Sequence, residues 1–411
     1  MKNGEHSSPD NGTHFHRYLN YAIAILEKYN GEEPFHLYLK KYFLANKKHG
    51  SKDRKIITSL CYDYFRVGCA VSPSADIFET LLLATFLIEE KLSPVLEKLK
   101  PEWNRLIYRD ISSKIEMVKD LFSIEKIFPH LNEISKQINI KNFCFSFLIQ
   151  PKLFIRIRPG YKNLVFSKLK NLQIPFEKIN ENCLAFSNNE KISEVLNIDK
   201  EAVIQDYNSQ LTLNLTSYIE YLQKESFGQT SDISLWDCCA ASGGKSILAF
   251  DLFKNIQLTV SDTRKSILEN LRKRFAKAGI KNYRSFVADL SISLRQKDLL
   301  EKQDLVIADV PCSGSGTWAR TPEQLHFFSK KKIGEYALLQ QKIVSNAIEY
   351  LKDDGYLLYI TCSVFKKENE ENAEFFEKNL NLQLVKSRYL QGYEMQADTL
   401  FAALFRKKPA E

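Results

Sequence analysis

Apolar positions along this chain change their spacing twice, and the changes mark its segments. Between residues 14 and 126 they recur every three or four residues, the spacing of amphipathic helices. One predicted helix face carries Tyr18, Tyr21, Ala22, Ile25 and Leu26. A second helix is predicted with Ser51 as its N-cap, because serine side chains satisfy free backbone N–H groups there. The pattern predicts an all-helical domain over residues 14–126.

The first change comes near residue 150, after a predicted linker helix at residues 127–149. Apolar and basic side chains then alternate as in a strand, before Pro159-Gly160 turns the chain. The predicted elements are the strand Leu153–Arg158, the helix Asn163–Leu172 and the strand Leu184–Phe186. They predict a small α+β module at residues 150–225.

From residue 226 to residue 411 predicted strands and helices alternate, which indicates a parallel sheet covered by helices. The predicted strands are Ile233–Asp237, Leu258–Asp262, Tyr283–Ala288, Leu305–Ala308, Tyr356–Thr361 and Leu400–Phe405. Ligands of such sheets collect beyond the carboxyl ends of the strands. We therefore expect the functional site of this α/β domain at that edge.

Composition narrows the classes of function. The chain has 58 basic and 50 acidic residues, a net charge of +8, which is a modest bias toward a polyanionic partner. The longest apolar run, Leu81–Ile88, is far shorter than the roughly 20 residues of a membrane span. The polar residues 1–13 are predicted to be a disordered tail rather than a signal peptide.

The eight cysteines are too scattered for a disulfide framework, and reduced thiols suit a cytoplasmic protein. None forms a Cys-x-x-Cys pair, and His14 and His16 have no partnering cysteines, so no metal site is expected. Five are interpreted as core-packing residues: Cys61, Cys69, Cys144, Cys183 and Cys238.

Residues 151–180 contain seven Lys or Arg and one Glu. This run is either a solvated face or a phosphate-binding edge of the module, with Phe154 or Tyr161 available for stacking on bases.

A loop of small residues, Cys239–Lys245, follows the first strand of the α/β domain and predicts a nucleotide-like ligand at a helix N-terminus. A phosphate-binding loop would need glycine at position 239, and a Gly-x-Gly-x-x-Gly fingerprint is absent. An aspartate ends each of the first four strands: Asp237, Asp262, Asp289 and Asp309. Asp262 has the spacing of a ribose-binding carboxylate. These features favour S-adenosylmethionine, which has a ribose but no pyrophosphate.

Two further strand ends each deliver a cysteine. Cys312 follows Asp309-Val310-Pro311, and Cys362 follows the strand that ends at Thr361. Because parallel strands end at one edge, both thiols and the Asp309 carboxylate are expected to face one pocket.

The motifs around these residues resemble the RNA cytosine-carbon-5 methyltransferases of the Nol/Nop/Sun family. The similar stretches are Asp237–Lys245, Asp309–Thr317 and Thr361-Cys362-Ser363 with Glu368-Asn369-Glu370. Weaker similarity covers Gln205-Asp206 with Ser209-Gln210, and the helical segments from Ser51 to Arg66, which resemble the NusB-like domain of bacterial small-subunit rRNA methyltransferases.

The resemblance implies a Rossmann-like methyltransferase domain, a middle RNA-binding module and a NusB-like RNA-binding domain. It implies that Cys362 is the nucleophile, that Cys312 helps release the product and that Asp309 shares a proton with the cytosine ring. The implied S-adenosylmethionine contacts are Cys239, Ala240, Ala241, Ser242, Gly243, Gly244, Lys245, Asp262, Asp289 and Asp309. A monomer acting on RNA is expected.

Three positions depart from the family pattern. Ser242 replaces a proline and is expected to loosen the cofactor loop, Ala319 replaces the first of two arginines, and Asp398-Thr399 stands where Asp-Gly is usual. The leading hypothesis is methylation of small-subunit rRNA. A tRNA substrate, or a non-catalytic RNA-binding assembly factor, are the alternatives.

Overall fold

The computed structural model describes residues 11–72, 74–217, 233–253, 255–294 and 301–409, without the side chains of residues 11–15. Residues 1–10 of the predicted tail and the predicted domain boundary at 225/226 lie outside the described residues, whereas residues 11–13 open the first helix.

The chain forms two compact units. The first contains the described residues up to Leu131, with Asn139–Gln150 and Trp318–Phe328; the second contains Asn132–Ile138, Pro151–Thr317 and the chain from Ser329.

The first unit is helical, as the periodicity predicts. Its helices are α1 Asn11–Lys28, α2 Phe35–Ala45, α3 Ser51–Arg66, α4 Ile77–Ile88, α5 Pro94–Leu99, α6 Pro101–Asn104, α7 Ile111–Met117 and α8 Ile140–Phe147. The predicted N-cap at Ser51 is wrong by one residue. Gly50 caps α3, and its N–H donates to the Asp53 carboxylate over 3.0 Å. Pro101 separates α5 from α6, since proline cannot donate the backbone bond that would join them.

Aromatic side chains fill the core of the first unit, and some come from far along the sequence. The Tyr29 ring lies 4.8 Å from Phe35 and 5.1 Å from Phe327, between ring centroids. Trp318 stacks on Phe128 at 5.2 Å. The segment Trp318–Phe328, which sequence analysis placed with the α/β domain, is thus part of the helical core.

In the second unit, four antiparallel strands form a small sheet of order β2-β3-β1-β4. The elements are β1 Leu153–Ile157, helix α9 Lys162–Asn171, β2 Glu177–Lys178, β3 Cys183–Phe186 and β4 Ala202–Ile204, and the short helix α10 Tyr207–Leu211 follows. The predicted strands and helix of the module are confirmed. Helix α10 ends at Leu211, and a 3-10 turn follows at Thr212–Thr216.

The cations of residues 151–180 are largely paired with carboxylates. Arg156 Nη1 and Arg158 Nη2 contact the two oxygens of Asp251 at 2.6 and 2.7 Å, and all three side chains are buried. Four of the lysines pair with carboxylates: Lys152 with Glu177, Lys162 and Lys178 with Glu181, and Lys168 with Glu201. Phe154 is 1% exposed, so it cannot stack on a base.

A seven-stranded sheet of order β10-β11-β9-β8-β5-β6-β7 dominates the second unit. Its strands are β5 Ile233–Asp237, β6 Ile256–Asp262, β7 Tyr283–Val287, β8 Gln303–Asp309, β9 Leu351–Thr361, β10 Leu382–Leu390 and β11 Leu400–Lys407. The longer helices are α11 Gly244–Leu252, α12 Lys265–Ala278, α13 Lys331–Ala347 and α14 Glu370–Asn379. Strands β5 to β9 are mutually parallel as predicted, whereas β11 runs antiparallel to both β9 and β10.

Strand β10 was not predicted, because the exposed polar residues Gln383 and Lys386-Ser387-Arg388 interrupt its apolar positions, as an edge strand allows. Of the cysteines interpreted as core residues, Cys69 is exposed, and the other four are buried. None of the helices in the described ranges combines the length and apolar character that a bilayer span requires.

The buried ion pairs of Asp251 should contribute strongly to stability. Replacement Asp251→Asn leaves two buried guanidinium groups with little compensation, and should lower the free energy of unfolding by about 3–5 kcal/mol in urea denaturation. Glu374→Gln removes the exposed partner of Lys378 and should change the free energy of unfolding by less than about 0.5 kcal/mol. Equal effects of the two substitutions would contradict this account.

Candidate functional site

The predicted site residues meet at one edge of the large sheet. Asp237 pairs with Ile307, and Asp309 pairs with Ile360, so that β5, β8 and β9 end side by side. The loops that leave these ends carry the small-residue segment and both cysteines. This arrangement follows from parallel strands, whose carboxyl ends share an edge.

The two thiols are in contact, as the sequence predicts. Cys312 Sγ lies 3.6 Å from Cys362 Sγ, and both residues are partly exposed. Gly316 holds the two loops together, because its N–H donates to the Cys362 carbonyl over 2.9 Å. A Cβ at this position would lie 1.9 Å from the Thr399 carbonyl oxygen, so only glycine fits. Thr399, the departure from the family's Asp-Gly, is buried, and its Oγ1 accepts a hydrogen bond from Gly392 N–H.

Asp309 and Lys245 form an ion pair beside the thiols. Lys245 Nζ donates to Asp309 Oδ2 over 2.6 Å. Burial alone would lower the pKa of Lys245, but the charge of Asp309 and this hydrogen bond, with smaller effects of Cys362 and Asp237, raise it. The ammonium group is therefore a fixed positive charge close to a thiol and two carboxyl groups.

The small-residue loop is shaped by two residues of positive φ, Ala241 at 46° and Gly243 at 84°. A Cβ on Gly243 would lie 2.7 Å from the Phe275 ring, which makes glycine necessary. Gly244 opens α11, and a Cβ there would meet nothing within 4 Å. Free space at a helix N-terminus is suited to a ligand that approaches the backbone closely.

Asp237 lies beneath this loop and is 1% exposed. Its Oδ2 accepts a hydrogen bond from Ser246 Oγ over 2.6 Å, but its Oδ1 is buried with no hydrogen-bond partner among the described residues. Burial raises the pKa of Asp237 to about 7, helped by the charges of Asp309 and Asp262 and opposed by Ser246 and Lys245.

The other two strand-end aspartates differ in their surroundings. Asp262 is buried and supports the loop, because it accepts hydrogen bonds from the backbone N–H groups of Ala241 and Arg264 at 3.1 and 3.0 Å. Asp289 is exposed, and hydrogen bonds from the Ser291 side chain and backbone lower its pKa. Cys239 is partly exposed at the start of the loop.

Ser242 of the small-residue loop is bonded to helix α12. Arg274 Nη1 donates to both the Ser242 carbonyl and its Oγ, each over 3.0 Å, while Nη2 contacts Asp199 at 2.7 Å. The serine therefore adds a hydrogen bond that a proline could not make.

Glu368 connects the loop that carries Cys312 with the loop that carries Cys362 (the two cysteine loops). It was not among the predicted site residues. Its Oε2 accepts from Ser313 N–H over 2.9 Å, and its Oε1 accepts from Ser363 Oγ over 2.8 Å. Gln340 of α13 donates to the same Oε2. Each serine directly follows one of the cysteines. The only sequence signal was an acidic residue shortly after the second cysteine, which is equally typical of a helix N-terminus.

Glu368 is fully buried, and burial raises its pKa, while the hydrogen bonds from Ser313, Ser363 and Gln340 oppose that shift. The pKa of Cys312 lies well above its usual value because of its hydrogen bond to Cys362, burial and the charges of Cys362 and Glu368. Either sulfur can donate this hydrogen bond, and the raised pKa of Cys312 favours Cys312 as the donor. The two similar thiols are made chemically unequal.

Comparison with known proteins agrees with this geometry. The family described as 16S rRNA methyltransferase RsmB/F matches residues 228–404. The matched residues span the predicted α/β domain. Ribosomal RNA small subunit methyltransferase B of Shewanella oneidensis is 30% identical over 140 residues, which are 34% of this chain and 32% of that protein.

Human tRNA (cytosine(72)-C(5))-methyltransferase NSUN6 is 30% identical over 148 residues, 33% of this chain and 31% of its own length. The chain thus spans about a third of the curated relatives that it matches. The crystal structure of PH0851 has a similar fold, with a TM-score of 0.66 and 19% identity over 98% of this chain and 99% of that one.

Removal of the Glu368 charge should make Cys312 more acidic. In Glu368→Gln, the Cys312 pKa should fall toward its usual value, because one neighbouring negative charge is lost. Iodoacetamide labelling of each cysteine across a pH series, followed by mass spectrometry, measures this shift.

The matched control is Glu370→Gln. Glu370 is also an acceptor, bonded to Ser135 and Tyr389, but it does not contact the cysteine loops. An unchanged Cys312 labelling profile in Glu368→Gln would show that the carboxylate does not control the thiol.

Proposed function

We propose that this protein is an S-adenosylmethionine-dependent RNA methyltransferase that acts on carbon-5 of cytosine, with small-subunit rRNA as its substrate. The observation that carries the proposal is the contact of Cys312 and Cys362 beside the Lys245–Asp309 pair and the glycine loop. The match of residues 228–404 to the RsmB/F family supports the same reaction.

The residues around the loop fit the cofactor. The orphaned Oδ1 of buried Asp237 and the free space at Gly244 mark a place for a ligand that carries positive charge and lies close to the backbone. The groups that would hold S-adenosylmethionine are Cys239–Lys245, Asp262, Asp289 and Asp309. When bound, it supplies an electrophilic methyl group on a sulfonium centre.

The proposed reaction starts at Cys362. Carbon-5 of cytosine is a weak nucleophile, and addition of the Cys362 thiolate to carbon-6 forms an S–C bond that turns carbon-5 into an enamine carbon. Cys312 donates a hydrogen bond to this sulfur and so favours its anionic form. The ring gains electron density at N3, where the Lys245–Asp309 pair can supply a proton. Carbon-5 then takes the methyl group.

Release requires loss of the hydrogen on carbon-5. Once Cys362 is bonded to carbon-6, its negative charge no longer raises the pKa of Cys312. Cys312 can then lose its own proton to water and accept the proton of carbon-5. The electrons of that C–H bond restore the ring double bond and expel Cys362 as thiolate. The contact of 3.6 Å lets the two sulfurs act in turn.

The target base must leave its stack to reach a pocket of this kind, so the substrate is single-stranded or flipped RNA. We propose that the helical segment at residues 14–126 is a NusB-like RNA-binding domain and that the module at residues 150–225 assists it. A cytoplasmic monomer without a bound metal is part of the same proposal.

A tRNA substrate is the second candidate, because the human relative is named for tRNA cytosine methylation at a similar identity. Bisulfite sequencing of rRNA and tRNA from a deletion strain separates the two. Loss of one rRNA methylcytosine is expected. Calorimetry that showed no S-adenosylmethionine binding would instead favour a non-catalytic assembly factor.

Substitution of the two cysteines should give different results. Cys362→Ala should reduce methyl transfer by at least about a thousandfold, because no adduct can form. Cys312→Ala should accumulate a covalent enzyme–RNA complex, visible as a band shift in denaturing gels with labelled RNA. Cys239→Ala, at a nearby thiol outside the pair, should show no such complex. Full activity of Cys362→Ala would refute the mechanism.

Cofactor affinity should depend on pH through Asp237. Its pKa of about 7 means that it is protonated below this pH, and binding of a cation favours the ionised form. Affinity for S-adenosylmethionine should therefore rise with pH, by up to about tenfold per unit below pH 7, and level off above. Isothermal titration calorimetry of wild type and Asp237→Asn at several pH values tests this. An equal pH dependence in the variant would exclude Asp237 as its origin.

A further inference from the structure

We propose that the outer face of helix α12, continued into β7, binds the phosphate backbone of the RNA. The proposal rests on the proposed RNA substrate and names the surface that holds it. This surface, the α12 stripe, consists of Lys265, Arg272, Lys273, Lys277, Lys281 and Arg284.

Residues 264–284 contain eight Lys or Arg and a single acidic residue, Glu269. The excess of basic over acidic residues in this segment accounts for most of the net charge of +8 of the whole chain. All six stripe residues are exposed, whereas Leu268, Leu271 and Phe275 attach the other face of α12 to the core. The helix thus presents its charge to solvent on a rigid support.

The cations of the stripe are free to bind a ligand. Among the ion pairs of the described residues, only Arg264 and Arg274 of this segment have carboxylate partners, Asp262 and Asp199. Arg272 donates to the uncharged Ser285 hydroxyl. Unpaired cations can neutralise phosphates without first breaking a protein ion pair, so their full charge contributes to binding.

Residues 151–180 provide the contrast. That segment is almost as basic, but six of its seven cations pair with Asp251, Glu177, Glu181 or Glu201. Sequence alone could not separate two basic segments of similar charge. Their ion pairs show that only the α12 stripe remains available.

The position of the stripe suits an RNA that reaches the thiols. Helix α12 begins three residues after Asp262, at the sheet edge where the site lies, and its 14 residues extend about 21 Å from there. The stripe offers Lys and Arg but no pocket or aromatic side chain. Such a surface positions a backbone and does not read bases.

The test compares two triple variants with the same change of charge. Lys273→Ala/Lys277→Ala/Lys281→Ala removes part of the stripe. Lys352→Ala/Lys378→Ala/Arg406→Ala removes three exposed cations of the same unit that already pair with Asp304, Glu374 and Asp354 and lie outside the module at residues 150–225. Binding of a single-stranded small-subunit rRNA fragment is measured by fluorescence anisotropy at several KCl concentrations, and S-adenosylmethionine binding serves as the check on folding.

For the wild-type protein, the logarithm of the RNA-binding constant should fall linearly with the logarithm of the KCl concentration. The stripe variant should bind more weakly and reduce the magnitude of that slope by about 2, because each lost phosphate contact removes roughly 0.7 on single strands. The control variant should keep the wild-type slope to within about 0.5.

The outcomes separate the two proposals. The stripe proposal would be wrong if the stripe variant kept the wild-type salt dependence of RNA binding, or if the control variant lost as much RNA affinity as the stripe variant. Either result would leave the proposed function intact. A wild-type protein without salt-dependent RNA binding would overturn the RNA substrate and the stripe with it.

Discussion

The candidate site depends on one buried carboxylate that holds two loops in register. Strands β8 and β9 bring Cys312 and Cys362 to the same edge, but strand pairing ends at Asp309 and Thr361. Beyond that point Glu368 accepts one hydrogen bond from each loop. A buried carboxylate is costly unless its oxygens are well bonded, and these bonds supply the compensation. The charge of Glu368 also contributes to the raised pKa of Cys312.

Much of this arrangement could be predicted from the sequence, because it depends on periodicity and on strand order. Alternation of strands and helices predicted that Cys312, Cys362 and Asp309 converge, and the glycine loop was placed correctly before α11. The roles of Glu368 and Thr399 could not be predicted, because they depend on contacts between loops that strand patterns do not define.

The exposure and ion pairing of basic side chains were the least predictable properties. The sequence of a basic segment does not show whether its side chains are exposed to solvent or paired with carboxylates. Arg156 and Arg158 point to Asp251, 93 to 95 residues away in sequence, so no local pattern could reveal their burial. The same limit applies to Ser242, whose hydroxyl accepts a hydrogen bond from Arg274, 32 residues away in sequence.

The path of the chain after Gly316 has a consequence for experiments on isolated parts. Residues Trp318–Phe328 follow the loop that carries Cys312 and complete the core of the helical unit, where Trp318 is 1% exposed. A fragment that began after the helical residues would retain this aromatic segment without its hydrophobic surroundings. Poor solubility of such a fragment would then reflect a missing core, and the minimal unit for biochemical work is the whole chain.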